Sequence, residues 1–361
     1  MTEIVASYAF TSRLIDRGLS VKARMDELTT QVATGRIGDG YGDLKGGARL
    51  SVDIRAELAR RETFSRQIDL AGARLETMQT TMARIGALAQ DVAAKALTMV
   101  TTGSNSVDAV AEQARMALRE VASLMNTQGG GAYLFAGTDA ANAPMPNADT
   151  ILTSGFFLQI EAEVATLAVG NGATVLANTL TTAASNAAGT TPFSTFLSNP
   201  MPAGGLDEPR LSIPADDGTR VTYGLRANAN GAAVSPSTPP TTGSFVRDVL
   251  RGLAVLASFT NTSTGIKPDF AQVTTEIAVS LQSAGRALED ERASLGVAER
   301  RLTAARERHD TLTLTLTRQV SGIEDAPMEE TISRLEQVRT QLQANYSLIG
   351  SMREFSLINF I

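Results

Sequence analysis

Proline placement constrains this chain more than any other feature. Residues 1–143 contain none, residues 144–268 contain eleven of the twelve, and the last is Pro327. A proline inside a helix removes a backbone donor and clashes with the preceding turn. Two long arms are therefore free to be helical, while the middle is broken. The middle is also rich in Gly, Thr, Asn and Ala and poor in charge. The expected fold is mainly α: a long antiparallel helical bundle or coiled coil built from both chain ends, with an inserted β-rich domain.

In the first arm, Leu14, Gly18, Val21, Met25, Leu28 and Val32 alternate by four and three, which predicts a helix over 16–34 closed by Gly35. The glycine-rich stretch GRIGDGYGDLKGG reads as loop. It fits neither the Walker nor the dinucleotide spacing, because Lys45 is not followed by Ser or Thr. A much longer stripe follows: Phe64, Ile68, Ala71, Leu75, Met78, Met82, Ile85, Ala89, Val92, Ala96 and Met99, with Leu50, Ile54 and Leu58 extending it upstream. TTGSNS breaks it, Asn105 or Ser106 can cap the next helix, and Val107, Val110, Ala114, Ala117, Val121 and Leu124 carry that helix to Gly129–Gly131. AYLFAGT, residues 132–138, reads as a short strand leading out of the helical part.

The second arm repeats the three-four rhythm through Phe270, Val273, Ile277, Leu281, Ala284, Leu288, Leu295, Ala298, Leu302, Ala305, Leu312 and Leu316. Glu291 and His309 fall on the same stripe. TLTLTLT at 311–317 alternates with period two, but its neighbours favour helix. Each long arm is a stripe without a partner of its own, so the two are expected to pair as a left-handed coiled coil.

After Pro327, Met328, Ile332, Leu335, Val338, Leu342, Tyr346, Ile349 and Met352 again fall at steps of three or four. Glu329 and Glu330 suit the positive end of a helix. The chain closes on Phe355, Leu357, Ile358, Phe360 and Ile361, where a frayed polar end is usual. An apolar end needs a partner. The segment is therefore expected to be an assembly surface; the alternative is a last helix docked on its own domain.

The middle offers strand-like runs at 156–160 and 165–169. Arg210–Pro214 and Arg220–Leu225 read as a hairpin around Asp216–Asp217–Gly218, ordinary turn residues rather than a calcium or acid-base pair. Residues 199–205 and 233–243 read as linkers, and 245–259 as a short helix.

Composition narrows the function. A net charge of −6 offers no basic face for nucleic acid. The absence of Cys rules out disulfide and thiol chemistry, and the single His rules out a His-rich metal site. HExxH, Gly-x-Ser-x-Gly and Cys/His arrangements are missing, so neither an enzyme nor a cofactor is expected. The first residues do not form a Sec-type signal peptide, and no apolar run is long enough for membrane insertion.

The closing stretch IEDAPMEETISRLEQVRTQLQANYSLIGSMREFSLINFI resembles the C-terminal region of the bacterial flagellin family. The N-terminal region through QVATGRIGDG, with the long helix after it, resembles the family's other end. The loop IGDGYGDLKGG departs from the Asn and paired Asp common there. GGGAYLFAGT is similar to a segment of the hook–filament junction members. The resemblance implies a structural subunit of the flagellum, either a junction protein or flagellin, the bulk filament subunit. It implies terminal assembly segments at 1–45 and 320–361, a helical layer from 46–140 and 265–319, and a variable insert at 141–264. The implied assembly interface comprises Leu14, Val21, Met25, Leu28, Val32, Ile332, Leu335, Val338, Leu342, Ile349, Phe355, Leu357, Ile358 and Phe360. The implied partners are further copies, a neighbouring hook-associated protein, flagellin and a flagellar export chaperone. The implied location is the extracellular flagellum, reached by type III export without a cleaved signal.

Overall fold

The computed structural model describes residues 2–38, 40–102, 106–198, 210–228, 240–265 and 268–358. They form two compact units, Met1–Thr63 with His309–Ile361, and Phe64–Arg308.

The larger unit is built on α2 (Ala48–Thr102) from residue 64, α3 (Val107–Met125), and α8 (Asp269–Glu324) up to residue 308. Cross-links set their directions. Arg306 Nε donates to Asp69 at 3.0 Å and Gln79 Nε2 to Glu299 at 2.9 Å, so α2 and α8 run antiparallel. Arg84 donates to Glu120 at 2.5 Å and Gln113 to Asp91, so α3 folds back along α2. The stripe from Ile68 to Met99 is buried throughout, as is that from Phe270 to Ala305. These helices hold because three-four spacing places one apolar face per helix and the faces meet. Glu291 is the charged exception in the seam. Its side chain is fully buried and takes an ion pair from Arg210, whose Nε also donates to Gly224 O at 2.5 Å.

The β-rich insert is a correction. Residues 156–160 lie in α4 (Gly155–Ala165), and the run 165–169 holds its last residue and the turn after it, followed by α5 (Gly172–Ala184). Phe156, Phe157, Ile160 and Val164 are buried at helical steps, and Ser154 caps the start by accepting from Phe157 N at 3.4 Å. Among the described residues, the middle prolines fall in connectors or in one short hairpin strand, and the proline-free windows 147–191 and 241–267 house α4, α5 and α7 (Phe245–Ala257). A single turn, α6 (Thr195–Ser198), lies between them. Among the described residues, strand is confined to two hairpins. One is β1 (Gln128–Gly129) with β2 (Ala132–Tyr133). The other is β3 (Ser212–Asp216) with β4 (Thr219–Thr222), which pairs Ile213 with Val221 around the expected Asp217–Gly218 turn.

Every residue of α7 is buried, against α3 on one side and α4 and α5 on the other. Its arginines are buried with it. Arg247 donates to Ala183 O at 2.9 Å and Ser185 O at 3.2 Å, which closes the C-terminal end of α5. It also reaches Asn186 Oδ1 at 2.5 Å and lies 5.0 Å over the Phe193 ring. Arg251 donates to Leu176 O at 2.8 Å. Burial pulls both guanidiniums down to about 10, which still leaves them charged at neutral pH.

Candidate assembly surface

The smaller unit contains α1 (Thr2–Thr34), the 3-10 turn Tyr41–Gly47, the start of α2, the end of α8, and α9 (Met328–Ile358). The joint between these helices comes first, because it decides how α1 and α9 lie. Gly35 ends α1 with φ 72°, a left-handed turn that suits glycine, and its N–H donates back to Gln31 O at 2.9 Å. Ile37 N then donates to Glu324 O at 2.8 Å, and Ala326 N donates to Gly35 O at 2.9 Å. These bonds zip the exit of α1 to the start of α9 around an Arg36–Asp325 bridge. Pro327 O accepts from Thr331 N at 2.9 Å and starts α9. The two helices leave one joint in opposite chain directions and pack on each other as an antiparallel pair.

Two helices alone cannot dry a wide apolar face. Gly18, Leu28, Val338 and Leu342 are buried between them, with Thr331 beside Pro327. Leu14, Val21, Met25, Val32, Leu335 and Ile349 are only half-buried. The expected stripe splits here. Ile332 and Tyr346 are 45% and 57% exposed, and Met328 also faces out. The inward stripe runs instead through Thr331, Leu335, Val338, Leu342, Asn345 and Ile349. The reason is width. The sequence pattern covers more of the helix circumference than a single partner helix can. The surplus joins Ile15, Leu19 and Leu348 as exposed large apolar side chains on the pair. Phe355, Leu357 and Ile358 fall in the last turns of α9; their side chains, and all of Phe360, lie outside the described residues.

Sequence reasoning missed the polar centre of this unit. Glu324, the last residue of α8, keeps only 8% of its side chain exposed. It accepts from Arg55 Nε at 2.7 Å, from Arg36 Nη2 at 3.1 Å and from Ser51 Oγ. Leu50, read as part of the apolar stripe, is exposed, and Ser51 takes the buried position next to it. The available signals were a lone Glu ending a long stripe before Pro327, an Arg directly after a helix-ending Gly, and a Ser three residues before Ile54. Farther along, His309 is buried with Nδ1 3.5 Å from Arg61 Nη1, so it is a packing residue.

Hydrogen bonds from Arg55 and then Ser51 hold the Glu324 carboxyl at about 2, below the ordinary glutamate value of 4.5. A carboxyl depressed in this way stabilises the fold above about pH 4.5 and loses that contribution as pH falls toward about 2. Glu324→Gln is expected to remove this part of the acid transition. Acid titration of both proteins by circular dichroism checks it: the wild-type curve should lose a component in that window when Glu324 is replaced.

A pair of terminal helices that meets at one joint and leaves apolar side chains uncovered defines a structural subunit, completed by other chains. The comparisons agree. Residues 6–140 match the bacterial flagellin N-terminal helical region, and residues 280–361 match the bacterial flagellin C-terminal helical region. Together they cover more than half of the chain, which belongs to the bacterial flagellin family. The protein is thus a structural subunit of the flagellum, of a family that self-assembles into polymers and is not enzymatic. No curated protein matches it. Among the described residues no helix is long and apolar enough to cross a membrane.

Proposed function

We propose that this subunit joins hook to filament, as hook-associated protein 3 does, rather than forming the bulk of the filament. The observation that carries the reading is GGGAYLFAGT, residues 129–138. Gly130 and Gly131, at φ 63° and 79°, make the tight turn between β1 and β2. Leu134 and Phe135 are buried in the core directly after it. Ala136 bridges to Arg226, and Ala227 N donates to Phe135 O at 2.9 Å. The segment thereby ties Arg226 and Ala227 of the insert to the helical core.

In this reading residues 1–45 and 320–361 are the assembly segments, 46–140 and 265–319 the surrounding layer, and 141–264 the variable insert. The neighbours are copies of the chain, another hook-associated protein and flagellin. An export chaperone covers the apolar C-terminal helix before type III secretion. Flagellin itself is the second reading, because it shares both terminal regions.

Deleting the gene separates the two. The junction reading expects hooks without filaments and flagellin released into the medium, seen by electron microscopy and immunoblotting. Filaments of normal length on the deletion strain contradict it.

A further inference from the structure

We infer that Glu324 is a positioning residue for assembly, a clasp that fixes the attitude of the α1/α9 pair against the first turns of α2. The inference rests on the chain being a flagellar subunit and holds for either a junction or a filament role.

Two backbone bonds, Ile37 N to Glu324 O and Ala326 N to Gly35 O, tie the exit of α1 to the end of α8 and the connector that leads into α9. They fix the exit of α1 beside the point where α9 begins. The Glu324 side chain carries that joint across to α2, where Ser51 and Arg55 donate to it. Arg36 arrives from the loop after α1, so one carboxylate gathers groups from both sides of the joint.

Close packing does not back this contact up. A cavity of about 250 Å³ lies beside it, lined by Arg36, Gly38, Gly40, Tyr41, Leu44, Arg55 and Glu324. The arginine side chains are 51% and 42% exposed, while that of Glu324 is 8% exposed. Removing the carboxylate therefore leaves two cations facing each other beside open space, with nothing to hold their direction. Removing Arg36 cuts one arm and leaves the buried end satisfied by Ser51 and Arg55.

The chain contains no Cys, so introduced cysteines are its only thiols. Spin labels at Ala59→Cys on α2 and Glu336→Cys on α9, both exposed positions, report the attitude of the pair in the full-length protein. Pulsed dipolar spectroscopy on the parent is expected to give one narrow distance distribution. Glu324→Ala should broaden it and lower incorporation into flagella by about tenfold or more, as the loss of a buried ion-pair member implies. Arg36→Ala should broaden it less, with helix content unchanged, and it decides the matter if Glu324→Ala loses helix. Glu324→Asp, whose carboxylate stops one methylene short, should not restore incorporation.

An unchanged distribution in both alanine variants overturns the inference. So does a loss of incorporation with the distribution unchanged, because Glu324 then acts by some route other than orientation. The gene-deletion phenotype is independent of these outcomes, so failure of the clasp and failure of the junction reading are distinguishable.

Discussion

In the Leu342→Asp variant, α9 is expected to come away from α1 and the chain to disappear from flagella. Leu342 is 8% exposed and, like Val338 and Leu28, is one of the buried apolar residues of the pair. A carboxylate placed among these apolar side chains costs about 3 kcal/mol or more. A two-helix seam has little else to offset such a loss, since most of its other apolar contacts are only half-buried. Limited proteolysis of the full chain should show early cleavage within α9, and a flagellar fraction should contain none of the variant. The contrasting substitution is Tyr346→Asp, one turn farther along on the open side. It should leave the proteolysis pattern as in the parent and still impair incorporation. Equal incorporation of Leu342→Asp and wild type removes the seam from the account.

The second large effect lies in the other unit. Arg247→Ala is expected to destabilise residues 64–308 by about 3 kcal/mol or more, because one buried side chain satisfies several acceptors at once. The loss would leave the buried carbonyl of Ala183 and the half-buried carbonyl of Ser185 and Asn186 side chain without their donor. Asp248 next to it would lose a neighbouring positive charge. Arg247→Met, which keeps most of the volume but none of the donors, should lose nearly as much. Chemical denaturation followed by circular dichroism measures both. A methionine variant as stable as the parent would show that packing, rather than hydrogen bonding, is what Arg247 supplies.

The helical layer was legible because its signal is periodic and long. From Ile68 to Met99, and again from Phe270 to Ala305, every expected stripe residue is buried. The strand reading of 156–160 failed because a short apolar run fits either period, and proline content was applied to the whole middle instead of to its gaps. The hairpin at 212–222 was readable from its Asp–Gly turn. In the smaller unit the apolar residues were found, but Ile332 and Tyr346 were placed with Leu342 when they lie on the open side. No single-sequence pattern tells which part of a wide stripe meets its own chain and which part waits for another. The Glu324 clasp was invisible for a related reason. Its members, Arg36, Ser51, Arg55 and Glu324, come from distant stretches, and only the fold brings them together.

The apolar side chains left open on the α1/α9 pair are expected to be covered by neighbouring subunits in the flagellum. Thiol reactivity at one exposed position tests this most directly. Tyr346→Cys provides the only thiol in the chain, at a position 57% exposed in the single subunit. The account expects rapid maleimide labelling of the free protein and strong protection in isolated flagella, with labelling restored on dissociation. Labelling at the same rate in free and assembled protein contradicts it.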